Sequence, residues 1–152
     1  MLEKRRAQAE VIKPIYEAMK AELGEDAAQR ILGSAIKQAA ISEARGFAEA
    51  EPEGPNLERF AALKPHWRKG DALTIVPIAQ SETELSYNVT RCRYAEMYRE
   101  MGMGDIGHLL SCNRDGSFCE GYDPRIKLTR TQTIMQGASH CDFRFRFSPE
   151  SE

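Results

Sequence analysis

Apolar residues recur at steps of three and four over the first third of the chain. Val11, Ile12, Ile15, Tyr16, Met19 and Leu23 define one face of an amphipathic helix predicted from Leu2 to Leu23. Pro14 inside it predicts a kink, or a helix start near Lys13. Gly24 breaks the pattern. A second helix is predicted from about Glu25 to Phe47, with Ala27, Ala28, Ile31, Leu32, Ala35, Ile36, Ala39 and Ala40 as its apolar stripe. Glu25 and Asp26 suit its N-terminal dipole, and the alanines permit close approach of another helix. The pair reads as an antiparallel hairpin that covers a sheet or serves as a dimer surface.

Glu51 to Pro55 is a loop by composition, and Asn56 is placed to cap a short helix through Leu57, Phe60, Ala61 and Leu63. Lys64-Pro65 is expected to end it, leaving His66, Trp67 and Arg68 in a polar connection to Gly70-Asp71. The texture then changes. Ala72 to Ile78 is β-rich, and Leu85, Tyr87 and Val89 alternate with polar residues, so two antiparallel strands are predicted, with Pro77 near an edge or at a bulge. Helical spacing returns from Arg91 to Met101 on Tyr94, Met97, Tyr98 and Met101, closed by Gly102. Asp105 is expected to cap a short helix through Ile106, Leu109 and Leu110. Asp115 would cap another from Gly116 to Gly121, leaving Cys112 in the elbow between them. The tail reads as a second hairpin: Ile126 to Met135, a turn at Gln136-Gly137-Ala138, then Cys141, Phe143, Phe145 and Phe147 alternating toward a core. The expected fold class is α+β, an N-terminal helical hairpin followed by a small antiparallel sheet interrupted by helices. It is expected as a single domain over 1–152, with a helical part at 1–65 and an α+β part at 71–147.

Composition narrows the function classes. The 152 residues are 41% hydrophobic and 29% charged, and no apolar run approaches the roughly 18 to 20 residues of a membrane span. The basic start, Met1 to Arg6, leads into Ala7-Gln8-Ala9-Glu10 and not into the apolar stretch of a secretion signal, so a cytoplasmic protein with no membrane partner is expected. A net charge of -2, with both signs interspersed, speaks against nucleic acid. Cys92, Cys112, Cys119 and Cys141 are expected as free thiols, and none forms a C-x-x-C pair.

The stretch from His108 to Gly121 concentrates the reactive groups. Cys112 is the candidate nucleophile, activated as thiolate by a helix N-terminus after Asp115 and by the Arg114 guanidinium; packing as a small buried hydrophobe competes with that role. Asp115 either caps its helix or moves protons. Cys141 falls on the aromatic face of the last strand, while His140 and Asp142 point away from it unless the strand begins after His140. A divalent metal held by Cys92, Cys112, Cys141 and His140 is an alternative. Arg91, Arg93, Arg114 and Arg130 suit a small anionic ligand, because a guanidinium grips a carboxylate in a fork. His66 and His108 read as surface or capping residues, and Cys92 and Cys119 as packed thiols first and ligands second.

Three blocks carry a resemblance: Tyr87-Asn88-Val89-Thr90-Arg91-Cys92-Arg93-Tyr94-Ala95-Glu96, Leu109-Leu110-Ser111-Cys112-Asn113-Arg114-Asp115, and Gly137-Ala138-Ser139-His140-Cys141-Asp142-Phe143-Arg144. In this order they resemble the L-2-amino-thiazoline-4-carboxylic acid hydrolase family over roughly Asp71 to Phe147. The resemblance implies hydrolytic opening of a carboxylated five-membered cyclic amidine to a carbamoyl-cysteine on a bacterial route to cysteine, at carbon–nitrogen bonds other than peptide bonds. It places the recurring cysteines at Cys92, Cys112 and Cys141, the acid at Asp115 and the glycine turn at Gly137; Cys119 stands outside the pattern. Residues and resemblance together make Cys112, Asp115, Cys141 and His140 the catalytic candidates. Asn88, Arg91, Cys92, Arg114 and Arg130 are the substrate-binding ones. No cofactor is expected, and a homo-oligomer through the N-terminal helices is. Two alternatives stand: a metal-assisted hydrolase, and a non-enzymatic small-molecule-binding domain, since Gly137-x-x-x-Cys141-Asp142-Phe143 is also similar to vinyl-reductase-type ligand-binding domains.

Overall fold

Helices α1 (Leu2–Leu23) and α2 (Glu25–Glu49) are joined by Gly24 alone. Its φ of 88° is a conformation glycine adopts freely. The computed structural model describes residues 1–149. The two helices run antiparallel: Arg5 faces Glu43, and the Gln29 amide donates to the Tyr16 hydroxyl at 3.3 Å. The buried face of α1 carries Arg5, Ala9 and Tyr16, with Ile12 and Met19 partly covered, whereas Val11 and Ile15 face outward. Hydrophobic spacing therefore finds the helix but sets its buried stripe one step off. The helix also runs unbroken through Pro14, with no second start near Lys13. Pro14 is exposed, so the carbonyl it leaves without a donor faces water.

The small side chains of α2 meet α6 (Asn113–Tyr122). Ala44 is fully buried there, and Gly121 lies against the Ile41 backbone so closely that no Cβ fits between them. The alanines expected to admit a helix do so, and the helix they admit is α6. The Asn113 amide adds a polar tie, donating to the Gly33 carbonyl at 3.1 Å.

Asn56 caps α3 (Leu57–Ala61), its side chain accepting the Arg59 N–H at 2.8 Å. Lys64-Pro65 does not end the helical region as expected. It opens α4 (Lys64–Arg68), because proline lacks only a donor that the first turn of a helix leaves unpaired anyway. Trp67 is thus helical, and its ring meets Phe118 edge-on at 5.2 Å.

Strands β1 (Leu73–Gln80), β2 (Glu84–Cys92), β3 (Ile126–Thr129) and β4 (Cys141–Phe147) form one antiparallel sheet in the order β1-β2-β4-β3. Pro77 lies on the edge strand at a register shift, where its missing N–H disturbs least. Inward positions pair across strands: Leu85 with Phe145, Tyr87 with Phe143, Val89 with Cys141. The Tyr87 and Phe143 rings stack at 5.1 Å.

Three predicted boundaries move. The strand expected from Ile126 to Met135 stops at Thr129, because the Asp142 carboxylate accepts the Thr131 and Gln132 amides and draws the chain out of the ladder. Thr133 then caps a 3₁₀ turn over Ile134–Gln136. The expected elbow at Cys112 is absent as well. A π-helical turn, His108–Cys112, continues directly into α6, with Cys112 in helical conformation. Asp115 sits inside the first turn of α6 and is not its cap. Helix α5 (Arg93–Glu100) starts two residues later than predicted, since β2 runs through Arg91 and Cys92.

Two apolar clusters hold these layers. One lies among α1, α2 and α5, around Tyr16, Leu32, Tyr98 and Ile106; the other lies between α6 and the sheet, around Leu85, Val89, Phe118 and Phe145. Among the described residues no helix is long and apolar enough to cross a membrane.

The α2–α6 contact makes opposite predictions for two glycines of one helix. Gly121→Ala is expected to destabilise by about 1–3 kcal/mol in urea melts, because its methyl must displace α2. Gly116→Ala has open space and should stabilise by about 0.5–1 kcal/mol. Equal effects of the two would contradict this packing.

Candidate active site

A cavity of about 130 Å³ opens where the two clusters meet, walled by the inner face of the sheet and by α2, α5 and α6. Cys112 and Asp115, three residues apart on a helical surface, share one face and both line it. The π-helical turn before them is a feature that recurs at functional sites. Arg130 follows β3, and continuing the inward alternation of Ile126 and Leu128 turns its side chain toward the same space. Its Nη1 donates to Asp115 Oδ2 at 2.5 Å and its Nη2 to the Cys112 carbonyl at 3.0 Å. Its guanidinium carbon sits 5.0 Å from the centre of the Phe143 ring. Cys141, first residue of β4, lines the opposite wall, and its Sγ accepts the Ile134 N–H at 3.2 Å. Cys92, last residue of β2, and Arg114 of α6 also reach the wall.

Burial dominates the electrostatics of this space. It pushes the Cys112 thiol up to about 12, with the Asp115 carboxylate adding to the rise and Arg130 opposing it. Cys92 rises to about 11 and Cys141 also moves up, again by burial first. The activation expected from sequence is missing for a structural reason. The π-helical turn runs into α6 without a break at Cys112, so no free helix N-terminus faces the sulfur, and Arg114 turns to Glu43 at 3.2 Å. Asp115 retains 35% of its side-chain surface, and that surface faces the cavity. Burial raises its carboxyl against the pull of Arg130. Burial works to lower Arg130, but the Asp115 carboxylate outweighs it and holds the guanidinium above its ordinary value.

Three predicted residues stand elsewhere. His140 precedes β4 and contacts Gln132 and Ser139 outside the cavity. Strand β4 does begin after His140, yet this brings no imidazole to Cys141. Asn88 points to the outer face of the sheet, where Arg144 donates to it at 3.0 Å. Arg91 is exposed and pairs with Glu96 at 3.1 Å. Cys119 is buried away from the wall. Among the described residues no three His, Cys, Asp or Glu side chains gather closely enough to hold a metal ion.

Sequence reasoning also misses lining residues. Arg5 and Glu43 come from the first two helices, and Tyr94 and Tyr98 of α5 face the same space. A signal for Arg5 exists: Arg5, Ala9, Ile12, Tyr16 and Met19 follow helical spacing and are the covered face of α1.

Because the folded thiols hold protons that an unfolded chain releases near pH 9, stability should fall as pH rises from about 9 toward 12. By the same sign, Cys112 in the free protein should react with iodoacetamide at pH 8 on the order of a hundredfold more slowly than an unstructured cysteine. Peptide mapping of the alkylated protein reads this, and rapid labelling of Cys112 would contradict the described environment.

The sequence profile described as L-2-amino-thiazoline-4-carboxylic acid hydrolase matches residues 4–145. No curated protein sequence matches the chain. Among solved structures, the chain is similar to the phenol-responsive sensory domain of the transcription activator PoxR with phenol, at 10% identity and a TM-score of 0.55 over 90% of this chain and 73% of that one. It is also similar to a trafficking protein particle complex subunit 3 from Naegleria fowleri covalently bound to palmitic acid, at 11% identity and a TM-score of 0.51 over 93% and 96%. At such identities the likeness is one of fold.

Proposed function

The chain belongs to the L-2-amino-thiazoline-4-carboxylic acid hydrolase family, and from that premise we propose that it opens a small carboxylated cyclic amidine by hydrolysis, with Cys112 as nucleophile and Asp115 as proton carrier. The observation that carries this reading is one enclosed wall on which Cys112, Asp115 and Arg130 meet, the last two hydrogen-bonded to each other.

A protonated thiol is a poor nucleophile, and burial keeps Cys112 protonated. An amidinium ring changes this, because its positive charge beside the sulfur favours the thiolate. Asp115 accepts the thiol proton, and the sulfur bonds to the ring carbon between nitrogen and sulfur. Asp115 returns the proton to the ring nitrogen as the carbon–nitrogen bond breaks. Water then bonds to that carbon and gives a proton to Asp115. The bond to Cys112 breaks, the thiol recovers its proton, and the released amine carries the last one. Cys141 and Cys92 line the same space as packing thiols around the ring.

One observation favours a second reading, a binding domain that changes nothing. The walls are largely apolar, with the rings of Trp67, Tyr87, Phe118 and Phe143 among them, and every thiol on them sits above its ordinary pKa. Turnover separates the two. Incubated with 2-amino-2-thiazoline-4-carboxylate, the wild-type protein is expected to release a carbamoyl product detected by chromatography. Cys112→Ala should fall to background with its fold intact by circular dichroism, and Asp115→Asn should lose roughly 10²–10⁴ in kcat. Full turnover by a folded Cys112→Ala protein would eliminate the mechanism, and ligand bound but unchanged by the wild type would favour the binding domain.

A further inference from the structure

Three guanidiniums and two carboxylates reach the cavity wall: Arg5, Arg114 and Arg130 against Glu43 and Asp115. Arg130 holds Asp115, which leaves Glu43 between Arg5 and Arg114. Glu43 accepts a hydrogen bond from Arg114 at 3.2 Å, while Arg5 stands 3.8 Å from the same oxygen. The other side-chain contact of Arg5 is neutral, Nη1 donating to Gln8 Oε1 at 2.9 Å. One carboxylate cannot balance two guanidiniums, so this corner carries a surplus positive charge.

That surplus is enclosed, with Arg5 only 5% and Arg114 only 8% exposed. A buried charge without a counter-charge is expensive, and proteins keep one where it meets a ligand or a partner charge. Burial, and Arg114 beside it, hold Arg5 below its ordinary pKa. Among the described residues no fully buried side-chain nitrogen or oxygen lacks a partner. The N–H groups that these two arginines leave unpaired therefore keep some accessible surface, and on side chains this buried, lining a cavity, that surface is the cavity's.

We infer that Arg5 and Arg114, bracketed by Glu43, form an anion seat in the cavity wall that takes the carboxylate of a small ligand. One added negative charge brings the corner to two against two, and a carboxylate matches the fork of either guanidinium. Such a seat lets α1, far from the reacting sulfur in sequence, choose the ligand. It rests on the proposed function for the class of ring, and on the charge count alone for the carboxylate. A triad that only pins α1 to α2 and α6 predicts a different result, equal effects on charged and uncharged ligands.

The test is calorimetric titration of the full chain in the Cys112→Ser background, which binds without turning over, using 2-amino-2-thiazoline-4-carboxylate and the same ring without its carboxylate. The acid should bind about tenfold or more tightly than the bare ring, a difference Arg5→Met should largely abolish with the bare ring's affinity held within about twofold. Arg5→Lys should keep part of the preference. If Arg5→Met fails to fold by circular dichroism, Glu43→Gln carries the test, and the preference for the acid should grow. Equal affinities for the two rings, a parallel loss of both in Arg5→Met, an unchanged preference in Glu43→Gln, or no binding of either ring would overturn the seat. Acid bound with preference but left unhydrolysed by the wild type defeats the hydrolase reading and leaves the seat standing. Hydrolysis without a preference does the reverse.

Discussion

The Arg130 guanidinium ties the sheet to the helix across the cavity that Cys112 and Asp115 line. From the end of β3 it reaches α6 with two hydrogen bonds, one to the Asp115 carboxylate and one to the Cys112 carbonyl, while its face rests on Phe143 of β4. An enclosed carboxylate without a cation would protonate, and an enclosed guanidinium without an anion would draw in water. Each makes the other tolerable. The pair also fixes the junction of the π-helical turn with α6, where the candidate nucleophile sits, so the geometry of the site and the packing of α6 on the sheet are one constraint seen from two sides.

The same enclosure decides when the sulfur is reactive. Burial raises Cys92, Cys112 and Cys141 together, leaving neutral thiols in a largely apolar chamber. A resting thiol is protected from oxidation and from adventitious electrophiles, because the thiolate is the reactive form. A cationic ring with an attached carboxylate would supply the charge that Cys112 lacks and the anion that the Arg5–Glu43–Arg114 corner lacks.

Much of this architecture was legible in the amino-acid pattern. Helical spacing before Gly24 and after it, alternation around Tyr87 and Phe143, and proline at an edge all report burial of one face, which is a local property. What was illegible depends on partners distant in the chain. Asp115 looked like a cap because nothing local reveals Arg130, fifteen residues on, as its counter-charge. Asp142 looked like a solvent-facing strand residue, yet its carboxylate ends β3 by holding the Thr131 and Gln132 amides. His140 and Arg91 stand beside Cys141 and Cys92 in sequence, yet the side chains of both lie outside the cavity. Arg5 lay hidden among Lys4 and Arg6, and only the covered face of α1 singles it out.

The central claim is that this cavity receives a carboxylated amidine ring with its electrophilic carbon facing position 112. A crystal structure of the Cys112→Ser protein with 2-amino-2-thiazoline-4-carboxylate tests it most directly. The expected result is the ring between the side chain at position 112 and the aromatic wall, its nitrogen toward Asp115. A ligand outside the cavity, or a ring whose carbon faces away from position 112, would contradict it.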